Sequence, residues 1–275
     1  MIRVTVLAAT GRLGQALLRR LQAEAVTVLA VGRDPAKLAA LSGVETRVAD
    51  LGDAAALAAA LVDAEIVISC ANAQFVPAIL AALPATGVAR LVLMGSTRCF
   101  SGVPDGTATA VRVAEAALAA CPIPSVLLLA TLIYGGGAGV VEVLAGQIRR
   151  FRLLPLPGAA ALVQPIHIDD VAASLVAALL RPNAPGAPIV IAGPRAMPYR
   201  DMVRAIAAAR RLRLVLLPVP SLPIRSGAWL AGRIGPLTGI AGSVRRLLED
   251  KSFDISEMRE RLGVEPRDFA PGSPV

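Results

Sequence analysis

The sequence predicts an α/β fold, a doubly wound parallel sheet with a small C-terminal α/β subdomain, and three observations predict it. Residues 1–134 alternate short β-branched runs with Ala/Leu-rich segments of helical spacing, the pattern of βαβ units. A glycine-bearing segment, Ala8-Ala9-Thr10-Gly11-Arg12-Leu13-Gly14, stands where the first run meets the first helical segment. Of the 275 residues, 55% are hydrophobic, 17% charged and 3% aromatic, which suits one large packed core and excludes a disordered chain.

Taken in order, the strands read as Ile2–Ala8, Val26–Val31, Glu45–Ala49, Ile66–Cys70, Leu91–Gly95 and Val126–Ile133. Between them Gln15–Glu24, Ala54–Leu61, Val76–Leu83 and Ala108–Ala120 carry apolar residues at helical spacing. Residues 135–163 read as a glycine loop, a helix ending in Arg149-Arg150 and a Pro/Gly-rich connection. Asp169–Leu180 returns as a helix capped by Asp169 or Asp170, and a strand at Pro188–Ile191 completes the sheet. Helices at Asp201–Ala209 and Ala228–Arg233, a strand at Leu212–Pro218 and a helical stretch near Val244–Asp250 make the subdomain. The expected division is 1–134 with 163–193 for the main domain, and 135–162 with 194–275 for a smaller lobe that binds substrate or partner.

Composition narrows the function classes. Cys70, Cys99 and Cys121 have neither C-x-x-C spacing nor an even count, so a zinc knuckle and a disulfide framework are both disfavoured and a reducing compartment is expected. Met1-Ile2-Arg3 runs straight into the first strand, without the pattern of a signal peptide, and the reading is cytoplasmic. The longest uncharged run, Ala116 to Val141, is broken by Pro122, Pro124 and Gly135-Gly136-Gly137, which argues against a membrane span. The net charge of +8 is concentrated: from Arg195 to Arg246 there are ten arginines against one acid, Asp201. Such a stretch reads first as a set of solvated helix faces, with nucleic acid, an anionic membrane surface or a phosphate-bearing ligand as the partners it would otherwise suit. Nucleic acid is disfavoured because Tyr199 and Trp229 are the only large aromatics there.

The first strand-helix junction carries the chemistry. Backbone N–H groups at a helix N-terminus attract a pyrophosphate, and Gly11 and Gly14 let it approach, with Thr10, Arg12 and Leu13 beside them and Ala8 where a first glycine usually stands. Nineteen residues after Gly14 the second strand ends in Val31-Gly32-Arg33-Asp34, with Arg33 where an NAD-binding protein places an acid. A guanidinium there pairs with a 2′-phosphate and Lys37 assists, so NADP(H) is favoured and NAD(H) kept open; the alternative is a loop arginine followed by a capping Asp34. Asp50, with Leu51, either contacts the adenine or caps a turn. Cys70, Ala71 and Asn72 after the fourth strand complete the expected cofactor contacts, with Ser96.

Together Ala9-Thr10-Gly11, Gly32-Arg33-Asp34-Pro35, Asp50, Leu132-Ile133-Tyr134-Gly135 and His167-Ile168-Asp169-Asp170-Val171-Ala172 resemble the atypical short-chain dehydrogenases of the NmrA-like group, over nearly the whole chain. The C-terminal third, with Ala192-Gly193-Pro194, Leu217-Pro218-Val219-Pro220 and Leu262-Gly263-Val264-Glu265-Pro266-Arg267, is similar to the epimerase-related branch that includes the nucleotide-binding accessory subunit of respiratory complex I. The resemblance implies a Rossmann domain for NADP(H) and a lobe closing a pocket over the nicotinamide. In that superfamily a Tyr phenol is the acid/base, with a Lys four residues later. Here Tyr134 and Tyr199 have Ala138 and Val203 at that position, so no Y-x-x-x-K exists. The strand Leu91–Gly95 resembles the one ending at the substrate-orienting serine, which makes that serine Ser96; counting along the next helix places Thr107 at the tyrosine and Val111 at the lysine. Arg98 or Arg112 remains able to polarise a carbonyl. His167, the sole histidine, is either an acid/base or a hydrogen-bonded structural residue. The expectation is an oxidoreductase or epimerase/dehydratase relative without the Tyr-Lys pair, or else a non-catalytic NADP(H) sensor or scaffold. The substrate is expected to be small and apolar or lipidic, the chain a monomer or homodimer. Leu212–Val219 and Leu222–Ile240 mix apolar residues with arginines as a peripheral membrane segment does.

Overall fold

The computed structural model describes residues 2–84, 87–103, 105–137, 139–181, 188–219 and 245–272. The predicted helix at Ala228–Arg233, the stretch Leu222–Ile240 and Val244 lie outside these residues; of the last predicted helix, residues 245–247 are helical.

The strands are β1 (Ile2–Leu7), β2 (Val26–Gly32), β3 (Glu45–Val48), β4 (Ile66–Ser69), β5 (Arg90–Ser96), β6 (Ser125–Ala130), β7 (Ile133–Tyr134), β8 (Leu153–Pro157), β9 (Leu162–Val163), β10 (Ile166–His167), β11 (Ile189–Ile191), β12 (Met197–Pro198) and β13 (Val215–Val219). The helices are α1 (Arg12–Leu21), α2 (Pro35–Ala39), α3 (Ala54–Ala60), α4 (Val76–Ala82), α5 (Gly106–Ala119), α6 (Val140–Phe151), α7 (Ile168–Leu180) and α8 (Tyr199–Ala209). Seven strands form one sheet in the order β11-β6-β5-β4-β1-β2-β3, every pair parallel. This is the Rossmann-type doubly wound sheet.

The central strands are apolar on both faces because helices cover both. On one face Val4, Val6, Val92, Val126 and Leu128 meet Leu17 and Leu21 of α1 and Val171 and Leu175 of α7. On the other, Leu7, Val67, Leu91 and Leu93 meet Leu57, Ile79, Val111 and Leu118 of α3, α4 and α5. The edge strand β3 instead carries Glu45 and Arg47, whose ion pairs with each other and of Arg47 with Asp63 keep the edge charged. A third core lies apart from the sheet, where Leu144 and Ile148 of α6 and Met202 and Ile206 of α8 enclose Leu156 and Tyr134.

Three readings of the sequence need correction. The apolar run Val126–Ile133 is two strands. It breaks at Thr131-Leu132 because Thr131 N–H donates to Ile191, while the Leu132 carbonyl accepts from Ile166, so β7 leaves the main sheet to pair with β10. The connection after α6 contains β8, which pairs in parallel with β13. Finally, Ile255, Met258 and Leu262, in the segment assigned to the lobe, pack into the core of the main sheet against α7. Buried Gln164 ties this segment down, donating to Gly193 O at 2.7 Å and accepting from Phe253 N at 2.7 Å. Asp170 does the same, taking the Arg267 backbone N–H at 3.0 Å and its Nε at 2.9 Å.

Candidate functional site

In an open parallel sheet a ligand binds beyond the carboxyl ends of the strands where the winding reverses, here between β1 and β4. Two cavities of about 480 Å³ each open there. They share Cys70, Ala71 and Asn72, so they form one cleft across the strand ends.

The β1-α1 turn floors it. Gly11 starts α1 without any side-chain cap, and the first-turn N–H groups of a helix have no intrahelical acceptor, which leaves the positive end of the helix to a ligand. Gly14 is required sterically: a Cβ there would stand 2.5 Å from Ala9 O and 2.6 Å from Ala8 O. Ala8 adopts φ +57°, the left-handed region that glycine enters without cost, so alanine makes the turn with about 1–2 kcal/mol of local strain. These features fit a dinucleotide pyrophosphate: a tight turn that closes on the helix only with glycine at position 14, and an uncapped helix start.

One half of the cleft is lined by Ala8, Thr10, Gly11, Arg33, Lys37, Asp50 and Leu51. Arg33 is exposed at the end of β2 and forms no ion pair among the described residues. Asp34 accepts from Ala36 N at 3.1 Å and Lys37 N at 3.2 Å, capping α2; these backbone bonds, that to Lys37 foremost, hold its carboxyl below the usual carboxylate range. Its second oxygen lies 3.6 Å from Lys37 Nζ. Asp50 also makes a turn, accepting from Gly52 N at 2.8 Å, while its side chain stays at the cavity wall.

The other half is lined by Arg12, Leu13, Met94, Ser96, Arg98, Thr107 and Val111 among others. Arg12 crosses to the glycine loop, donating to Gly135 O at 3.2 Å. Ser96 Oγ accepts from Arg98 N at 3.3 Å, and Arg98 Nη1 stands 3.5 Å from Thr107 Oγ1 while Nη2 pairs with Asp105. Burial pushes the Cys70 thiol up to about 12, so it lines the cleft as an inert apolar group. Sequence reasoning missed Gln74, Met94, Ala110 and Thr131, which come from separate strand ends and helices with no shared motif.

Of the named cofactor residues, only Gly14 lines neither half, because it is packed beneath the turn. Ser96 and Thr107 come together; His167 does not join them. It is 1% exposed, it accepts from Asp169 N at 3.2 Å to cap α7, and its ring stacks edge-on to Tyr134 at 5.0 Å. Among the described residues it lines neither half of the cleft, and these contacts are those of the structural alternative. Tyr134 is also buried, its hydroxyl between Asp268 O and Ala270 N, and neither it nor Tyr199 lines either half of the cleft.

His167 gives a pH prediction. Burial, aided by Arg267, holds its pKa below 6.5, so the unfolded chain binds more protons than the folded one as pH falls past that value. Its contribution to stability is fully present above pH 6.5 and is lost on acidification toward the folded pKa. A thermal melt series from pH 7.5 to 5.5 on wild type and His167→Asn checks this: the wild-type Tm should fall more steeply than that of the variant, and parallel slopes would remove the assignment.

Residues 8–120 match a family model described as NAD(P)H-binding. That segment runs from the β1-α1 turn through α5 and includes the cofactor half of the cleft and most of the Ser96 half, to which Ala130, Thr131 and Ile133 add from beyond it. The same fold occurs in a nucleoside-diphosphate-sugar epimerase from Staphylococcus aureus (16% identity, 98% of each chain, TM-score 0.73). It occurs also in an NADPH-dependent quinone oxidoreductase from Escherichia coli (21% identity, 98% of each chain, TM-score 0.73). A third case is an enzyme of Bordetella bronchiseptica in complex with NAD⁺ (17% identity, 98% of this chain and 89% of that one, TM-score 0.71). An uncharacterised protein of Mycobacterium tuberculosis is 26% identical over 274 residues, 96% of this chain and 28% of that protein. The chain thus spans little more than a quarter of the length of the curated relatives it matches. The chain shares its fold with these NAD(P)-dependent proteins, and residues 8–120 are similar to an NAD(P)H-binding family; the complex I branch stays an expectation.

Proposed function

We propose that the chain is an NADPH-dependent oxidoreductase that reduces a compact, largely apolar acceptor with an electron-poor carbonyl, a quinone being the favoured class. The observation that carries this is the makeup of the Ser96 half of the cleft: Arg98, Ser96 and Thr107 stand together there, and among the described residues no carboxylate, histidine, tyrosine or lysine lines it. Bound along the cleft, a reduced nicotinamide supplies the hydride. Ser96 and Arg98 hold the acceptor oxygen, and the Arg98 charge stabilises the negative charge that develops on it. Asp105 positions Arg98, and Leu13, Met94 and Val111 pack the acceptor's apolar body. A quinone suits a site without a proton donor because the anion formed on hydride addition is stable enough to take its proton from water. The likeness in fold to a quinone oxidoreductase supports the reading, and that to sugar epimerases supports a broader NAD(P)-dependent one.

The same lack of a proton donor favours a second reading, an NADP(H) sensor or scaffold that binds without turning over. Absorbance at the NADPH band, followed over a panel of quinones, aldehydes and ketones, separates the two. Oxidation with quinones, cut on the order of 100-fold in kcat by Arg98→Ala with NADPH affinity unchanged, is the expected result. Binding without oxidation by any acceptor would leave the sensor; turnover indifferent to Arg98 would overturn its role.

A further inference from the structure

A second charged surface lies where α6 and α8 end, away from the cleft. Arg149, Arg152, Arg211 and Arg213 line, with Ile148 and Leu212, a cavity of about 260 Å³ that has no acid in its wall. Among the described residues none of the four forms an ion pair, and Glu142 is taken by Arg210. Arg152 and Arg211 hold φ of 55° and 52°, the left-handed positions at which helices usually end in glycine.

Immediately beyond this cluster, β8 and β13 pair with Val215 opposite Leu153 and Leu217 opposite Pro155. Alternation along the strands turns Leu156 into the third core and sends these residues outward. Phe151, Leu153, Val215 and Leu217 are 61%, 45%, 56% and 43% exposed, an apolar stripe continuous with the arginines. Helix C-termini attract cations, which accounts for arginines in the last turns. It does not account for four exposed apolar side chains beside them.

We infer that this face binds the surface of an anionic phospholipid bilayer, with lipid phosphates in the arginine-lined cavity and the β8-β13 stripe in the interfacial layer. Charge selects the anionic partner, since the cavity offers guanidinium groups and nothing to balance them. The aliphatic stripe selects lipid over nucleic acid, which is held by stacked aromatics; Phe151 is the one aromatic of the patch. No helix among the described residues is long and apolar enough to cross a membrane, and the contact inferred is a peripheral one. The inference is independent of the acceptor proposed for the cleft.

Co-sedimentation of the whole chain with phosphatidylcholine vesicles, with and without phosphatidylglycerol, tests it. Binding should require phosphatidylglycerol and weaken with added salt. Arg149→Ala with Arg213→Ala should weaken it about 25-fold, at about fivefold per arginine lost from an anionic surface. Leu153→Ser with Leu217→Ser should weaken it at least about tenfold. All four positions are exposed, and circular dichroism melts verify that the variants fold. Equal binding to neutral vesicles, or none to either, overturns the inference. So does self-association or RNA binding that is lost in the same variants while the vesicles sediment alone, because the patch then belongs to a second copy or to nucleic acid.

Discussion

Gly14→Ala is expected to weaken NADPH binding on the order of 100-fold and to lower stability by about 2 kcal/mol. The added Cβ would meet Ala9 O at 2.5 Å, and Ala8 O and Ala9 Cα at 2.6 Å, all backbone atoms that no rotamer change can move. Relief requires α1 to slide away from the end of β1. Overpacking of this kind costs about 1–3 kcal/mol, and the high end applies against backbone. Alanine's better helix propensity returns about 1 kcal/mol of it. The binding loss is larger because the slide moves the N–H groups of the first turn, and two amide-phosphate hydrogen bonds at ~1.5 kcal/mol each amount to that 100-fold. Gly11→Ala is the internal control. Its Cβ would meet only Ala8 O, at 3.2 Å, and its φ of −73° suits any residue, so its stability cost should stay below about 1 kcal/mol. Isothermal titration with NADPH and thermal melts on both variants decide the point. Equal effects at the two glycines would mean that Gly14 is not what sets the cradle.

The cofactor half of the cleft was legible in the sequence because its requirements are local. Gly14 is demanded by backbone within one strand-helix turn, Gly11 starts the helix of the same turn, and Arg33 ends the next strand, so spacing alone places them together. Ala8 shows the limit even there: the chain keeps a glycine-like φ with alanine, and no pattern distinguishes that from a looser turn. Elsewhere the determinants are not local. Val126–Ile133 is an unbroken apolar run, and its division depends on which carbonyls Thr131 and Ile166 find across the molecule. The pairing of β8 with β13 joins segments about sixty residues apart through a register that neither announces. His167 as a lone histidine reads more readily as a hydrogen-bonded structural residue than as an acid/base, and the edge-on Tyr134 ring and the Asp169 N–H, set by tertiary packing, decide which way it faces. The substrate half shares this difficulty: Met94, Arg98, Thr107 and Thr131 reach one cavity from different strand ends and a helix, so Ser96, Thr107 and Arg98 were named for its chemistry only through a family resemblance, and Met94 and Thr131 not at all.

Arg33→Ala should cost NADPH about 10- to 100-fold in affinity and leave NADH within about threefold, since a charge-assisted phosphate contact is worth about 1.5–3 kcal/mol and NADH has no 2′-phosphate to lose. The competing candidate at this end of the cleft is Asp34, one residue later, an acid of the kind that holds ribose hydroxyls. Its carboxylate has other work. One oxygen accepts both N–H groups at the start of α2, and the other faces Lys37 Nζ at 3.6 Å. Arg33, exposed and without an ion pair among the described residues, has its charge available, and Lys37 adds a second cation to the same wall. Asp34→Asn should therefore leave the preference between the cofactors in place while costing the α2 cap some stability, about 1 kcal/mol or less. Fluorescence titrations of wild type, Arg33→Ala and Asp34→Asn with both cofactors give the answer. A wild type that prefers NADH, and loses that preference in Asp34→Asn, would transfer the ribose contact to Asp34 and make Arg33 a surface residue of the β2-α2 turn.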